Sequence, residues 1–368
     1  MLMLSMTQFR TIMTHLDFPI IDAHIHQWDP YHTPHAAALA VKLFGKHPYL
    51  LDKLVRFAQP KDVIETLGKT QHITSPYLPE HYKRDLGAYQ VKHVVHVEAN
   101  WHHQKGKAVV EETQFIESLP FKSHDLNLAA LVATADPRQS NFKKILKMHK
   151  QASPHFRGIR KMASFHEDKA IHAWTDEPHL YRNPKFLKGF ELLAQYNLSF
   201  DAWVYSTQLQ DVIALAKQFP ETSIVLDHFG TPAGLFGPVG KTTGLTQTAR
   251  ENILFQWKED IAELSQYANV YTKMSGLFMP ILGHQFHKNN KIASKAEIFD
   301  LTHPIITHVL QHFGAYRVMF ASNFPMDSVS TSLVNIIDGF SDVVAAYDPD
   351  ALAQVFHHTA KQFYRIKI

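Results

Sequence analysis

Residues 20–26 read Ile-Ile-Asp-Ala-His-Ile-His (IIDAHIH), a short β-branched run whose polar residues recur at every second position. That pattern reads as a β-strand. On a strand of strict period, Asp22, His24 and His26 share one face, and Ile21, Ala23 and Ile25 share the other. Two imidazoles then leave one strand end on the same side, where they can chelate a cation or grip an anionic group. In a chain with 26 histidines an H-x-H also arises by chance, so the motif gains its weight from the pattern of the remaining chain.

Seven further apolar runs succeed it, at 91–100, 126–136, 156–162, 198–205, 223–230, 270–277 and 317–325, the first run being 19–26. Between them lie amphipathic stretches at 79–89, 107–119, 141–150, 184–197, 207–219, 250–267 and 295–313, with a last one at 332–347. Eight strands alternating with helices predict an α/β fold, a single-domain (β/α)8 TIM barrel. A doubly wound open sheet is the alternative, but the first strand lacks the glycine-rich turn that cradles a dinucleotide phosphate. Residues 28–78, with a helical stretch around 36–54, and residues 231–248 are too long for simple turns. They leave the C-terminal ends of the first and sixth strands, where barrel enzymes place substrate loops, and are expected to wall the site.

Composition narrows the function. The chain has 368 residues, 45% hydrophobic and 19% charged, ample for a packed core. A net charge of +3 spread without a basic block argues against nucleic acid as a partner. No cysteine is present, so any metal must be held by His, Asp or Glu. The N-terminal residues do not read as a signal peptide, and no run approaches the ~20 apolar residues of a membrane span. A cytoplasmic protein acting on a small molecule is expected, with residues 1–17 as an extension to the domain at 18–368. Nothing in the sequence reports an oligomeric state.

Taking polar residues near strand ends as inward, the parity argument picks out His96, Glu98, Asn100, Arg160, Ser164, Asp201, Tyr205, His228, Tyr271, Lys273, Ser275 and Asn323 as converging on one end of the barrel. Val95 then falls on the helix-facing side. Each residue has a plainer reading: Glu98 with Arg160 or Lys273 suits a buried ion pair, and His96 suits a core histidine. Convergence from several strands is harder to explain as packing, because charged groups are rarely buried without partners.

Taken together, IIDAHIHQWDP, VVHVEANW, FRGIRKM with SFHED, IVLDHFGTP, YTKMSGL, MFASNFPMD and AKQFYRI resemble the amidohydrolase-related TIM-barrel hydrolases, in the branch with sugar and dicarboxylate lactonases. The resemblance runs from about Pro19 to Ile366. It implies a hydrolase for a small, polar, often carboxylated substrate such as a lactone, with a decarboxylase or a non-catalytic binding barrel as alternatives. By matching position it makes His24, His26 and His228 ligands for Zn2+ or another divalent metal, although some lactonases of this kind work without metal. Arg160, Ser275, His166 and Tyr205 become candidates for binding substrate, and Lys273 for polarising a carbonyl. The pattern breaks at the eighth strand, where relatives carry an aspartate and this chain has Asn323. An amide cannot accept water's proton, so the base is expected to be Asp327, Glu98 or a histidine. Without the acidic ligand, three imidazoles alone predict weak metal binding.

Overall fold

The computed structural model describes residues 16–35, 41, 43–44, 47–58, 60–102, 106–289 and 291–368. Most of the expected extension 1–17 and part of the helical stretch 36–54 lie outside these residues. The strands are β1 (Ile20–Ile25), β2 (Val91–Val97), β3 (Asn127–Thr134), β4 (Phe156–Arg160), β5 (Ser199–Ala202), β6 (Ile224–Leu226), β7 (Val270–Met274) and β8 (Val318–Phe320). All pair in parallel, each with the next in the chain. The last strand returns to the first: Asn323 N donates to His24 O at 2.9 Å, and His26 N donates to Phe324 O at 2.8 Å. This is the single-domain (β/α)8 barrel that the alternation predicts.

Helices α1 (Pro79–Asp85), α2 (Glu111–Ser118), α3 (Phe142–Ala152), α4 (Pro184–Gln195), α5 (Leu209–Gln218), α6 (Gln247–Leu264), α7 (Lys295–Phe313) and α8 (Leu333–Tyr347) surround the sheet. Their starts follow local chemistry. Asn183 accepts from Lys185 N and Phe186 N ahead of Pro184, and Ser294 and Glu297 form a capping box on α7. None of the described helices is long and apolar enough to cross a membrane.

Two apolar layers flank the strands. Inside the barrel, Ile21, Ala23, Val95, Val97, Val132, Val225, Met319 and Ala321 pack with Phe363, Tyr364 and Ile366. The closing segment AKQFYRI thus plugs the N-terminal end of the barrel. Ile20, Ile25, Val94, Ile159, Phe200, Leu226 and Phe320 lie in the larger layer against the helices. Val95 is therefore luminal, and its expected helix-facing position is corrected.

The β1–β2 register carries a bulge: Asp22 lies opposite Val94 but Ile25 opposite His96, three residues against two. Strict alternation fails there. Ile21 and Ala23 face the lumen below the bulge, while above it Ile25 turns outward and His24 and His26 turn inward. Asp22 is not on their face. It accepts from Tyr82 O–H of α1 at 2.8 Å and from Ser322 N at 2.9 Å, tying β1 to α1 and β8. His96, also expected inward, meets Glu112 of α2 at 3.4 Å.

The described residues of 28–78 include the helices Pro48–Ala58 and Lys61–Leu67 and cover the strand ends as expected. Residues 231–248 do not. They lie over the neighbouring loops, with Phe236 N donating to Leu282 O at 2.8 Å and the Asp168 carboxylate accepting from Lys241 N at 2.8 Å and Thr242 N at 2.7 Å. No residue of that segment lines the cavity above the strand ends.

Candidate active site

His24 Nε2 and His26 Nε2 stand 3.2 Å apart, both side chains buried. Two imidazoles sharing a tetrahedral zinc at ordinary Zn–N distances would have their nitrogens about 3.3 Å apart. His26 Nδ1 lies 2.8 Å from Val97 O. A carbonyl can only accept, so Nδ1 carries the hydrogen and the neutral ring turns a bare Nε2 toward His24. Burial pushes all three imidazoles of the group down. Beyond it, Lys273 acts on His24 and Arg160 on His26, while His228 falls to about 3. At neutral pH they are uncharged, as metal ligation requires.

His228 owes its place to an unusual stretch of backbone. After β6 the chain runs through the left-handed region at His228 (φ 56°), Phe229 (51°), Gly230 (72°) and Thr231 (41°). Each non-glycine residue there costs about 1 kcal/mol or more, a strain typical of functional sites. The departure from strand period brings two adjacent residues, Asp227 and His228, to the same site. His228 Nδ1 sits 2.8 Å from Ser275 Oγ, and the His228 and His24 ring centroids are 4.7 Å apart. Gly276 makes room: a Cβ there would stand 2.5 Å from His228 Cγ.

Asp227 is the site residue that the sequence reading passes over. Its Oδ1 lies 3.0 Å from Lys273 Nζ and 3.4 Å from His24 Nδ1, and its Oδ2 lies 3.5 Å from Arg160. Despite full burial, Lys273 and then His24 hold this carboxyl well below the usual range. A signal for it exists, since Val225 faces the lumen and period two puts Asp227 beside it. One donor atom from each of His24, Asp227 and His228 falls within 4.8 Å of the others. Among the described residues the group that could hold a metal is two imidazoles and a carboxylate, with His26 of the expected three imidazoles 3.2 Å from His24. That set suits zinc, and β6 supplies the anion that Asn323 does not.

Lys273 Nζ is fully buried between Asp201 and Asp227 and lies 3.1 Å from His24 Nδ1. Asp201 also accepts from Tyr364 O–H at 3.0 Å, and burial pushes its carboxyl up to about 6. Glu98, beyond the end of β2, pairs with Arg160 at 2.7 Å. Asn323 Nδ2 donates to Asp327 Oδ1 at 2.9 Å, and Asp327 Oδ2 accepts from Phe278 N at 3.2 Å. A cavity of about 850 Å³ opens above the strand ends, lined there by His26, Asn100, Arg160, His228 and Asn323. Asp327 touches Asn323 from behind and does not line it. Neither do Glu98 and Ser275, which support Arg160 and His228, nor Lys273, which lies deeper against His24, Asp201 and Asp227. His166 and Tyr205 stand outside the lining as well, their rings 6.0 Å apart, and Tyr205 O–H donates to His172 O at 2.9 Å. His172, Trp174, Trp203 and Trp28 face the cavity instead. Trp203 comes directly after β5 and Trp28 follows His26 and Gln27 after β1, positions that sequence alone could have flagged.

Comparison with known proteins identifies the family. The family model for amidohydrolases matches residues 21–366, and the chain belongs to that family. An uncharacterised protein of Sinorhizobium fredii is 27% identical over 350 residues, 95% of this chain and 99% of its own length. An L-fucono-1,5-lactonase of Burkholderia ambifaria is 28% identical over 219 residues, covering 58% of this chain and 62% of the lactonase. Among solved structures, an amidohydrolase of Burkholderia multivorans with bound zinc superimposes with a TM-score of 0.68 at 19% identity, covering 95% of this chain and 100% of that one.

Proposed function

We propose that this amidohydrolase-family chain is a hydrolase that adds water to a carbonyl and breaks an ester C–O bond, with a lactone as substrate. The observation that carries the reading is the His24–His26 pair, set 3.2 Å apart and joined by His228 and Asp227 at the strand ends. A divalent ion held by His24, Asp227 and His228 would polarise the carbonyl and make water a better nucleophile at neutral pH.

The chain's own groups supply the rest. Arg160, the ionic side chain among the described cavity residues, faces the developing negative charge on the carbonyl oxygen. His26, its Nδ1–H held by Val97 O, keeps a bare Nε2 at the cavity end and takes the proton of the attacking water, while His228, fixed by Ser275 and backed by Gly276, stays a ligand. The ring oxygen leaves as the C–O bond breaks and recovers that proton, giving the hydroxy acid. Asn323 hydrogen-bonds water or substrate, and Asp327 orients its amide.

Support comes from the lactonase relative, similar over part of the chain. The test is acid release from a panel of lactones by the metal-loaded protein, and then the same assay on His228→Ala. Hydrolysis lost in the folded variant is the expected result; no acid release from any lactone would reject the assignment.

A further inference from the structure

The side chains that wall the cavity set a chemical class for its occupant. Trp28, Ile73, Met162, Trp174, Met279 and Met326 form its sides, drawn from the loops after β1, β4, β7 and β8. Among the described residues, the polar side chains of the lining apart from His35 and His172 are the five at the strand ends, His26, Asn100, Arg160, His228 and Asn323. The cavity is therefore polar at one end and apolar along its length. A volume of about 850 Å³ exceeds what a bare five- or six-membered ring fills and lies in the range of drug-sized ligands.

Charge points the same way. Among the described lining residues Arg160 carries the permanent charge, but its Nε/Nη2 edge is already taken: Nε donates to Glu98 Oε1 and Nη2 to Glu98 O, both at 2.7 Å. Its Nη1 faces His24 at 3.4 Å and Asp227 at 3.5 Å. The Nε/Nη2 edge is closed to a substrate carboxylate, Glu98 and Asp227 already balance the positive charge, and ring hydroxyls laid against tryptophan and methionine would give up water for no partner.

We infer that the substrate is a neutral amphiphile, a lactone or ester whose carbonyl sits at the strand ends and whose alkyl or aryl substituent fills the apolar length of the cavity. The inference rests on the hydrolase reading for the carbonyl chemistry, and on the wall alone for the substituent. It departs from the polar, often carboxylated substrate that the sequence implies. Methionine and tryptophan suit this role because they offer large, adaptable apolar contact without fixing one shape.

The experiment measures binding and turnover separately on the metal-loaded full chain. Affinity is read by calorimetry with 2-alkylcyclopentanones of increasing chain length, ring ketones that cannot be hydrolysed. Turnover is read with γ-butyrolactone, γ-octalactone, γ-dodecalactone and D-gluconolactone. Each methylene that enters the wall should tighten binding about three- to fourfold until the cavity is full, and kcat/KM should climb along the γ-lactones. Ile73→Gln, checked for cooperative unfolding, should flatten that slope. Affinity that does not change with chain length, or D-gluconolactone turned over better than γ-octalactone, overturns the inference. A chain-length slope in binding without hydrolysis of any lactone keeps the inference and rejects the hydrolase reading. Hydrolysis of D-gluconolactone with a flat ketone series does the reverse.

Discussion

Arg160 is held by Glu98 at both edges of one residue, with Nε on the carboxylate Oε1 and Nη2 on the main-chain carbonyl, each at 2.7 Å. A guanidinium gripped in this way keeps one orientation. Its remaining nitrogen then points at the histidines and Asp227, where a carbonyl oxygen would gain charge. Both residues are buried, so the pair costs desolvation and serves position more than stability.

Removing one partner should therefore hurt more than removing both. Glu98→Gln leaves a buried guanidinium underpaired and should cost about 3 kcal/mol in urea unfolding, together with most of kcat. The double variant Glu98→Gln with Arg160→Met should recover part of that stability and none of the activity. A strictly additive cycle would show that the two side chains do not act as a unit.

On the proposed ligand set, Asp227 should decide how tightly a metal is held. The expectation of weak binding counts three imidazoles and no anion, and the structure adds the anion from β6. Asp227→Asn should lower zinc affinity tenfold or more in competition with a chelator, while the fold survives. Asn323→Asp should raise affinity much less than it would in a site lacking a carboxylate. Equal zinc content in wild type and Asp227→Asn after chelation would remove Asp227 from the ligand set.

Gly276 tests the seat of His228. Alanine at φ 66° is strained by about 1 kcal/mol, and its methyl would meet the imidazole at 2.5 Å. Gly276→Ala should lower kcat at least tenfold while shifting stability by only about 1–2 kcal/mol. Ser275→Ala, which removes the 2.8 Å contact without crowding the ring, should cost less activity. If Gly276→Ala turned over normally, the ring would not need this position.

The barrel is legible in the sequence because period-two runs and amphipathic stretches are averages over many residues. Side-chain direction at the site is less so, because it turns on single backbone events. One bulge in β1 separates Asp22 from His24, and one left-handed run after β6 brings Asp227 and His228 together. Arg160, Asp201 and Lys273, on regular strands, point where parity puts them. His166 and Tyr205 carry no such constraint, since they lie in or beside a loop whose path sequence does not specify. The apolar wall escapes sequence for a related reason: scattered Trp and Met residues become a surface only after the loops fold over the strand ends.

Asp327 separates two roles by pH. Burial outweighs the hydrogen bonds from Asn323 and Phe278 N and pushes its carboxyl from 3.8 up to about 7. Because the folded value lies above the unfolded one, the native state retains a proton that the unfolded chain has released. The resulting stability is complete below about pH 4 and is lost as pH rises through 7, a change of up to about 4 kcal/mol. Asp327→Asn should abolish this slope in unfolding measured across that window; parallel slopes would mean that the native carboxyl is already ionised. The kinetic arm separates base from orienter. A general base lost to amide should cost about 10²-fold or more in kcat. The Asn323 amide stands between Asp327 and the cavity and cannot relay a proton, so the expected loss is smaller, and the acidic limb of the pH–rate profile should stay where it is. A hundredfold loss with a displaced acidic limb would return Asp327 to the chemistry itself.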